Sequence, residues 1–162
     1  MKKGGRKGGP PEGAQVVVQN RKARHDYSIE EQVEAGLALT GSEVKSLRAG
    51  NVALADAYAL VKNGELWLAS CRIGEYQPAS YTGHAPTRER KLLLRRAEID
   101  RLAGKVEKAG YTLVPLSLYF KDGWAKVELG LARGRTHEDR RDAIAEREQR
   151  REMDRAMSRR RR

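Results

Sequence analysis

The alternation of apolar and polar positions predicts a small body built mostly of strands. An apolar segment begins at residues 15–18, and a second segment runs from residue 27 to residue 40. In the second segment the larger apolar residues occupy odd positions, and a period of two is typical of a strand with one buried face. These residues are Ile29, Val33, Leu37 and Leu39.

Two further pairs of segments predict β-hairpins. Asn63-Gly64 separates the first pair, and Lys121-Asp122-Gly123 separates the second. Asn-Gly and Asp-Gly readily adopt the positive φ angles that tight hairpin turns need. The predicted strands are residues 58–62 and 65–69 in the first hairpin, and 116–120 and 124–129 in the second.

Two helices complete the predicted body. Residues 43–49 predict a short helix with Ser42 as its N-cap and Gly50 after its end, and residues 96–109 predict a longer one ending at Gly110. The longer helix has one apolar stripe, formed by Ile99, Leu102, Ala103 and Val106. Many short antiparallel strands with a few small helices favour an OB-fold-like closed antiparallel barrel, because closure removes exposed sheet edges.

Basic segments flank this body at both ends. The chain of 162 residues carries a net charge of +11, with +3 in residues 1–13, +3 in residues 14–132 and +5 in residues 133–162. We predict three parts: a disordered basic arm (1–13), a folded body (14–134) and a basic tail (135–162). A charge of this size indicates a polyanionic partner, although charged ends that only keep a domain in solution are the alternative.

The tail has good helix formers but no continuous apolar stripe. It contains neither proline nor glycine, and Ile144 is followed at the helical positions by Arg147 and Glu148. Isolated helices of this kind are marginal in water. We therefore predict a tail that is unfolded or fluctuating when free and helical when bound to a partner.

Several classes of protein are not supported by the sequence. A single cysteine, Cys71, forms no internal disulfide and fits a reducing, cytoplasmic setting. No apolar run approaches the roughly 20 residues of a membrane span, and the basic start lacks the apolar segment of a signal peptide. His25, His84 and His137 have no partners at metal-ligand spacing, and no phosphate-binding loop is present. We therefore predict neither a metal, a cofactor nor catalysis.

Three basic clusters are candidates for RNA contacts. The first is residues 20–25 (NRKARH), the second surrounds Leu92-Leu93-Leu94, and the third is Lys45 with Arg48, which share a helix face. Guanidinium groups match phosphate in a bidentate way, and asparagine can recognise base or ribose edges. For any one cluster, a solvated basic surface is the alternative.

The order of these segments resembles the SmpB family. The strings that carry the resemblance are NRKARHDY (20–27), TGSEVKSLRAG (40–50), PTRERKLLL (86–94) and LVPLSLYFKDGWAKVELGLARG (113–134), followed by the Arg-rich tail. The resemblance implies an OB-fold barrel that binds the tRNA-like part of tmRNA. It also implies delivery with elongation factor Tu to ribosomes stalled on messages without a stop codon, with the tail in the empty mRNA channel.

The resemblance also assigns residues in the body. Asn20, Glu34 and Leu93 match family positions tied to tmRNA binding. The neighbouring basic residues would give electrostatic support to the same RNA, and they are Arg21, Lys22, Arg24, Lys45, Arg48, Arg88, Arg90 and Lys91.

In the tail the chain departs from the family pattern at two positions. Thr136 replaces a lysine, and Glu138 stands where the family often has a ring, with His137 one place earlier. Either position could therefore face the decoding-site RNA. The predicted ribosome contacts are Arg135, His137, Asp139, Arg140, Arg141, Ile144, Arg147 and Arg151. The alternative function is a generic OB-fold RNA-binding or ribosome-associated protein without tail-dependent rescue.

Overall fold

The computed structural model of the chain describes residues 10–75, 85–134 and 137–160, without the side chains of residues 108, 109, 137–143 and 160. Its strands are β1 (Gln15–Gln19), β2 (Tyr27–Leu37), β3 (Val52–Ala53), β4 (Tyr58–Lys62), β5 (Glu65–Ala69), β6 (Arg72–Ile73), β7 (Arg90–Leu93), β8 (Thr112–Lys121) and β9 (Trp124–Gly134). Its helices are α1 (Arg21–Asp26), α2 (Gly41–Arg48), α3 (Arg96–Ala109) and α4 (His137–Arg160).

Seven of these strands form one antiparallel sheet. They are hydrogen-bonded in the order β1-β8-β4-β5-β7-β2-β9, with an additional pairing between β8 and β9, while β3 and β6 pair separately. The prediction of a mainly β body with small helices is confirmed. The closed OB-type barrel remains a prediction.

Both predicted hairpins are present. Asn63 and Gly64 have φ angles of 52° and 72°, and Asp122 and Gly123 have φ angles of 52° and 80°. Two consecutive positive φ angles match the right-handed twist of the flanking strands. The second hairpin is longer than predicted, because β8 and β9 pair from Lys121↔Trp124 back to Thr112↔Ala132.

Strand β9 separates the core from an outer sheet surface. The residues of one parity pack in the main core, and these are Ala125, Val127, Leu129 and Leu131. Because side chains alternate along a strand, the other parity lies on the outer face. The outer set is Trp124, Lys126, Glu128, Gly130 and Ala132.

A β-bulge in β2 breaks the period of two on which the strand was predicted. The pairing of β2 with β9 shifts between Ile29 and Glu31. As a result Ile29 packs outside the main core, in a second cluster with Ala23, Val114, Leu116 and Ala132. Val33 and Leu37 pack in the main core. The expectation that all four apolar residues share one face is therefore wrong for Ile29, because the bulge inserts an extra residue.

Helix α2 begins two residues earlier than predicted, at Gly41, and its N-cap is Thr40 rather than Ser42. Thr40 Oγ1 accepts from the Glu43 backbone N–H, and Glu43 Oε1 accepts from the Thr40 backbone N–H at 2.9 Å. This is a reciprocal capping box. Helix α3 has the predicted bounds and ends at Gly110, whose φ is 66°.

The two-residue strands β3 and β6 were not predicted. Two further short elements, α1 and β7, were not predicted either. Both lie inside the basic clusters that the sequence indicated as binding segments, and each is six residues or shorter. Elements of this length have too few residues to show a period.

Helix α4 covers most of the predicted tail. Its described side chains, from residue 144 to residue 159, are all exposed, so no core contact in this range holds the helix to the body. The unfolded state of the free tail remains a prediction. Residues 1–9 of the predicted arm lie outside the described residues.

Candidate nucleic-acid interface

An open groove lies between β2, β7, β9 and the start of α3. Its volume is about 590 Å³. Three residues that the sequence assigned to RNA binding, from two separate segments, line it together, namely Glu34, Lys91 and Leu93. Lys126, Arg95 and Arg96 also line the groove, so cations border it on β7, on β9 and at the start of α3.

A glycine brings β7 close enough to β2 to build the floor of the groove. Gly36 pairs with Leu93, and a Cβ added at Gly36 would lie 3.1 Å from the Leu93 Cβ. The strand therefore has no space for a larger residue without moving Leu93. Leu93 itself is 51% exposed and presents an apolar surface to the groove.

Lys126 is a candidate residue that the sequence analysis missed. It pairs with Gly36 on one side and with Tyr119 on the other. It lies between the core-facing Ala125 and Val127, so its side chain is on the outer face. The alternation of side chains along β9 could have placed Lys126 on the outer face. It indicates a binding residue only once β9 is known to pair with β2, which carries Glu34.

Glu34 is held by groups from β8. The Tyr119 hydroxyl donates to Glu34 Oε2 at 2.5 Å, and Lys121 Nζ lies 3.6 Å from Glu34 Oε1. Burial and the bond to Glu34 raise the pKa of Tyr119, so the phenol stays a donor at all ordinary pH values. The Glu34 side chain remains 34% exposed, which leaves part of the carboxylate accessible from the groove.

The Asn20 side chain binds the protein backbone, so it is not available to contact an RNA base. The residue is 4% exposed. Its Oδ1 accepts from the Ala23 backbone N–H at 3.1 Å and caps α1, while its Nδ2 donates to the carbonyls of Leu54 at 3.1 Å and Pro115 at 2.9 Å. The expectation that Asn20 recognises RNA edges directly is corrected, because its amide group is buried and occupied by the protein backbone.

Asn20 places the first basic cluster on the outer face of the sheet. Ala23 of α1 packs with Val114 and Ala132, while Arg21 and Lys22 are exposed. Ala132 and Lys126 lie on the same face of β9, about 20 Å apart at the usual rise of a strand. The α1 cluster and the groove therefore share one surface, which we call the outer face.

Arg90 has a different role from the one predicted, and Arg88 shares its buried partner. Arg90 is fully buried, and both arginines form ion pairs with the buried Glu43. Arg90 Nη1 also donates to the Cys71 carbonyl at 2.7 Å, and its Nη2 donates to the Pro86 carbonyl at 3.1 Å. The assignment of Arg90 to RNA binding is corrected, because no part of its guanidinium is accessible. Arg88 is one-third exposed, but its guanidinium is bound to Glu43.

The pKa of Glu43 reflects this cluster. Burial alone would raise the pKa, but hydrogen bonds from Arg88, the Thr40 backbone and Arg90, together with the Arg90 charge, lower it to about 2. Glu43 is therefore ionised at neutral pH. It joins the start of α2 to β7.

Lys45 and Arg48 lie on a different side of the molecule. They are exposed on α2, whose Leu47 packs in the main core. The Arg48 guanidinium stands 5.3 Å from the centre of the Phe120 ring and lines a second groove of about 480 Å³. The structure does not bring this pair to the outer face.

The predicted ribosome contacts are only partly described. Arg135 lies outside the described residues, and for His137, Asp139, Arg140 and Arg141 the structure describes the backbone of the first turns of α4. Ile144, Arg147 and Arg151 are exposed farther along the same helix.

The described part of the chain gives little support for a metal site, a nucleophilic cysteine or a membrane-spanning helix. No group of three His, Cys, Asp or Glu side chains among the described residues could hold a metal ion. Burial raises the pKa of the Cys71 thiol to about 11, which disfavours a nucleophilic thiolate. None of the described helices has both the length and the apolar content of a membrane span.

Comparison with known proteins identifies the family. A family model described as SmpB protein matches residues 17–159. The SsrA-binding protein of Anaeromyxobacter sp. (strain K) is 71% identical over 147 residues, covering 91% of this chain and 90% of the relative. The SsrA-binding protein of Myxococcus xanthus (strain DK1622) is 61% identical over 152 residues, covering 94% of each chain.

A solved structure gives the same result. A chain of the structure described as "tmRNA-SmpB: a journey to the center of the bacterial ribosome" is 51% identical, with a TM-score of 0.63. The similarity covers 78% of this chain and 93% of that chain. From the family model, the identities and the shared fold, we conclude that the chain belongs to the SmpB family.

Proposed function

We propose that the chain is an adaptor that binds the tRNA-like part of tmRNA on its outer face and brings it to stalled ribosomes. The observation that carries the proposal is the groove in which Glu34, Lys91, Leu93 and Lys126 meet. The basic α1 cluster on the same face extends the surface. The similar relatives are SsrA-binding proteins, and the similar solved structure concerns tmRNA-SmpB and the bacterial ribosome. Both support this choice of RNA and of the ribosome as partners.

The outer face offers the groups that an RNA surface requires. Exposed Arg21 and Lys22 would bind phosphates at one end, and Lys91 and Lys126 would bind them at the other. Leu93 offers an apolar contact to a sugar or base. Glu34 would accept a hydrogen bond from a ribose 2′-hydroxyl, because Tyr119 and Lys121 hold its carboxylate beside the groove. Asn20 contributes by anchoring α1.

A binding protein without turnover fits the family. Members of the SmpB family are RNA-binding adaptors and not enzymes, so the prediction that the chain is not an enzyme is confirmed by its family. We further propose that it works in the cytoplasm and that elongation factor Tu joins the complex through the tmRNA.

We also infer that the sheet closes into an OB-type barrel. The pairings run from β8 through β4, β5, β7, β2 and β9, and β9 pairs again with β8. This return supports the inference, as does the burial of β8 from Leu113 to Phe120 on both of its faces. We propose residues 14–134 as the RNA-binding body, with residues 1–13 as a basic arm.

The binding proposal is tested with the tRNA-like part of tmRNA and an unrelated RNA duplex of equal length. Leu93→Ala and Lys126→Ala should each lower affinity for the tRNA-like RNA by about five- to fiftyfold, because each removes a contact in the groove. Lys105→Ala is the matched control, since Lys105 lies on α3, pairs with Glu31 of β2 and does not line the groove. Equal affinities for all three variants would contradict the proposed site.

The alternative function, a generic RNA-binding protein, is separated by removing the tail. A chain that ends at Gly134 should keep its affinity for the tRNA-like RNA but lose the tagging of peptides on a message without a stop codon. If the shortened chain supports tagging normally, the tail-dependent rescue function is wrong and the generic alternative stands.

A further inference from the structure

The tip of the β8–β9 hairpin carries a tryptophan that the fold does not need. Trp124 is 72% exposed, the most exposed large apolar side chain among the described residues. The turn itself is made by Asp122 and Gly123, whose positive φ angles fix its geometry. Since neither the core nor the turn uses the indole, the ring is available to a partner outside the chain.

The strand geometry directs this ring to the outer face. Trp124, Lys126 and Glu128 have the same parity in β9, and the intervening Ala125 packs on the main core. Trp124 therefore lies on the face of the groove, about 7 Å along the strand from Lys126. Its cross-strand partner is Lys121, whose ammonium group is 3.6 Å from Glu34.

This arrangement matches the chemistry of an unpaired base. Aromatic side chains bordered by cations bind exposed bases, since the ring stacks on the base while the cations contact the adjacent phosphates. Lys121, across the strand pair, and Lys126, two residues along β9, supply such cations near the indole. A paired helix alone would offer no base face to a ring at the tip of a hairpin.

We propose that Trp124 is a stacking platform for one unpaired base of the RNA held in the groove. The proposal rests on the proposed RNA-binding function and deepens it, because it assigns a contact to a base face where the groove supplies contacts to the backbone. The occupant is a nucleobase in a loop, bulge or end, and any of the four bases can fill the place.

Affinity measurements with four variants test the chemistry of the contact. Trp124→Ala and Trp124→Leu should each weaken binding to the tRNA-like RNA by about five- to a hundredfold, while Trp124→Phe and Trp124→Tyr keep most of the affinity. Tyr58→Ala is the control, because Tyr58 is an exposed aromatic that does not line the groove. If Trp124→Leu binds the RNA with full affinity, stacking is refuted. Any apolar side chain would then be enough at this position, as at a contact with a protein partner.

Fluorescence and base removal locate the partner. The chain has two tryptophans, so Trp67→Phe leaves Trp124 as the sole indole reporter. Its emission should be quenched on adding the tRNA-like RNA and should become protected from acrylamide. Abasic substitution at one unpaired position of the RNA should reproduce the loss seen with Trp124→Ala and add nothing to it in combination.

The outcomes separate this proposal from the proposed function. If the unmodified chain does not bind the tRNA-like RNA, the function itself fails. If it binds and Trp124→Ala binds equally well, with no change in Trp124 emission, the RNA-binding function stands and the stacking role is refuted.

Discussion

Glu43 lies at the centre of a buried cluster, and its two carboxylate oxygens serve two arginines and the backbone of Thr40. The cost of removing Arg90 from water is offset only while this charge remains. In turn, Arg90 binds carbonyls at Cys71 and Pro86, and Ile73 donates its backbone N–H to Pro86 at 2.9 Å. One carboxylate thus holds α2, β6 and β7 together.

Acid should remove this contribution to stability. The pKa of Glu43 is about 2 in the folded chain and about 4.5 in its ordinary state. A lowered pKa stabilises the fold fully above about pH 4.5, and the contribution, about 3 kcal/mol, is lost as pH falls towards 2. Glu43→Gln should lower the free energy of unfolding by about 3–5 kcal/mol at pH 7, because it leaves Arg90 buried without a counter-charge.

Denaturant unfolding of the unmodified chain and of Glu43→Gln, at pH 7 and at pH 2.5, checks both numbers. The difference between the two proteins should shrink in acid. Glu31→Gln is the control, since Glu31 pairs with Arg101 and Lys105 at a partly exposed site and should cost less than about 1 kcal/mol. A difference between Glu43→Gln and the unmodified chain that does not change with pH would contradict the assigned pKa.

The sequence could indicate which residues carry charge, but not which of these charges are buried. Arg88, Arg90 and Lys91 are neighbours in one basic segment. Only the pairing of β7 with β5 and β2 shows that Arg90 points to the core side while Lys91 faces out and lies 3.1 Å from Glu65. Asn20 was ambiguous for the same reason, because its partners at Leu54 and Pro115 are distant in sequence.

At the scale of elements, the predictable parts were those with a strong local signal. The turns at Asn63-Gly64 and Asp122-Gly123 and the end of α3 at Gly110 depend on backbone angles that few residues adopt. The missed features depend on long-range packing. The bulges in β2 and β8, at Ile29/Glu31 and Pro115/Ser117, redirect side chains to the second cluster around Ala23, and no local pattern marks them.

A substitution in α4 can separate the effect of the tail's helical structure from the effect of its charge. Ile144→Pro should impair peptide tagging on a message without a stop codon, because proline inside a helix costs about 3 kcal/mol or more. Net charge is unchanged by this substitution. Ile144→Ala is the matched control, since it removes the same exposed side chain and keeps the helix.

Both variants should bind the tRNA-like RNA as the unmodified chain does, because Ile144 lies on the tail and not on the outer face. Tagging and RNA binding are therefore measured side by side. Normal tagging by Ile144→Pro would mean that the tail works as a charged tether, and the helix would then have no role in rescue.

At the scale of the whole molecule, positive charge is distributed over distinct surfaces. The α1 cluster and the groove share the outer face, Lys45 and Arg48 lie on α2, and exposed arginines lie along α4. One chain can therefore contact two RNA surfaces at once. This separation fits an adaptor, whereas a binder of a single RNA would need only one such surface.

The salt dependence of binding should report which of these surfaces touches the tRNA-like RNA. Five to eight phosphate contacts give a log–log slope of about −4 to −7, because each contact releases condensed counterions. Replacing Arg21, Lys22 and Arg24 together by alanine should flatten the slope by up to about three units. Replacing Lys45 and Arg48 should leave the slope for this RNA almost unchanged, since they lie on another side of the molecule.

The measurement is the dissociation constant at several salt concentrations for the three proteins, with circular dichroism as the check of folding. If the α2 pair flattens the slope and the α1 cluster does not, the outer face is the wrong surface for this RNA.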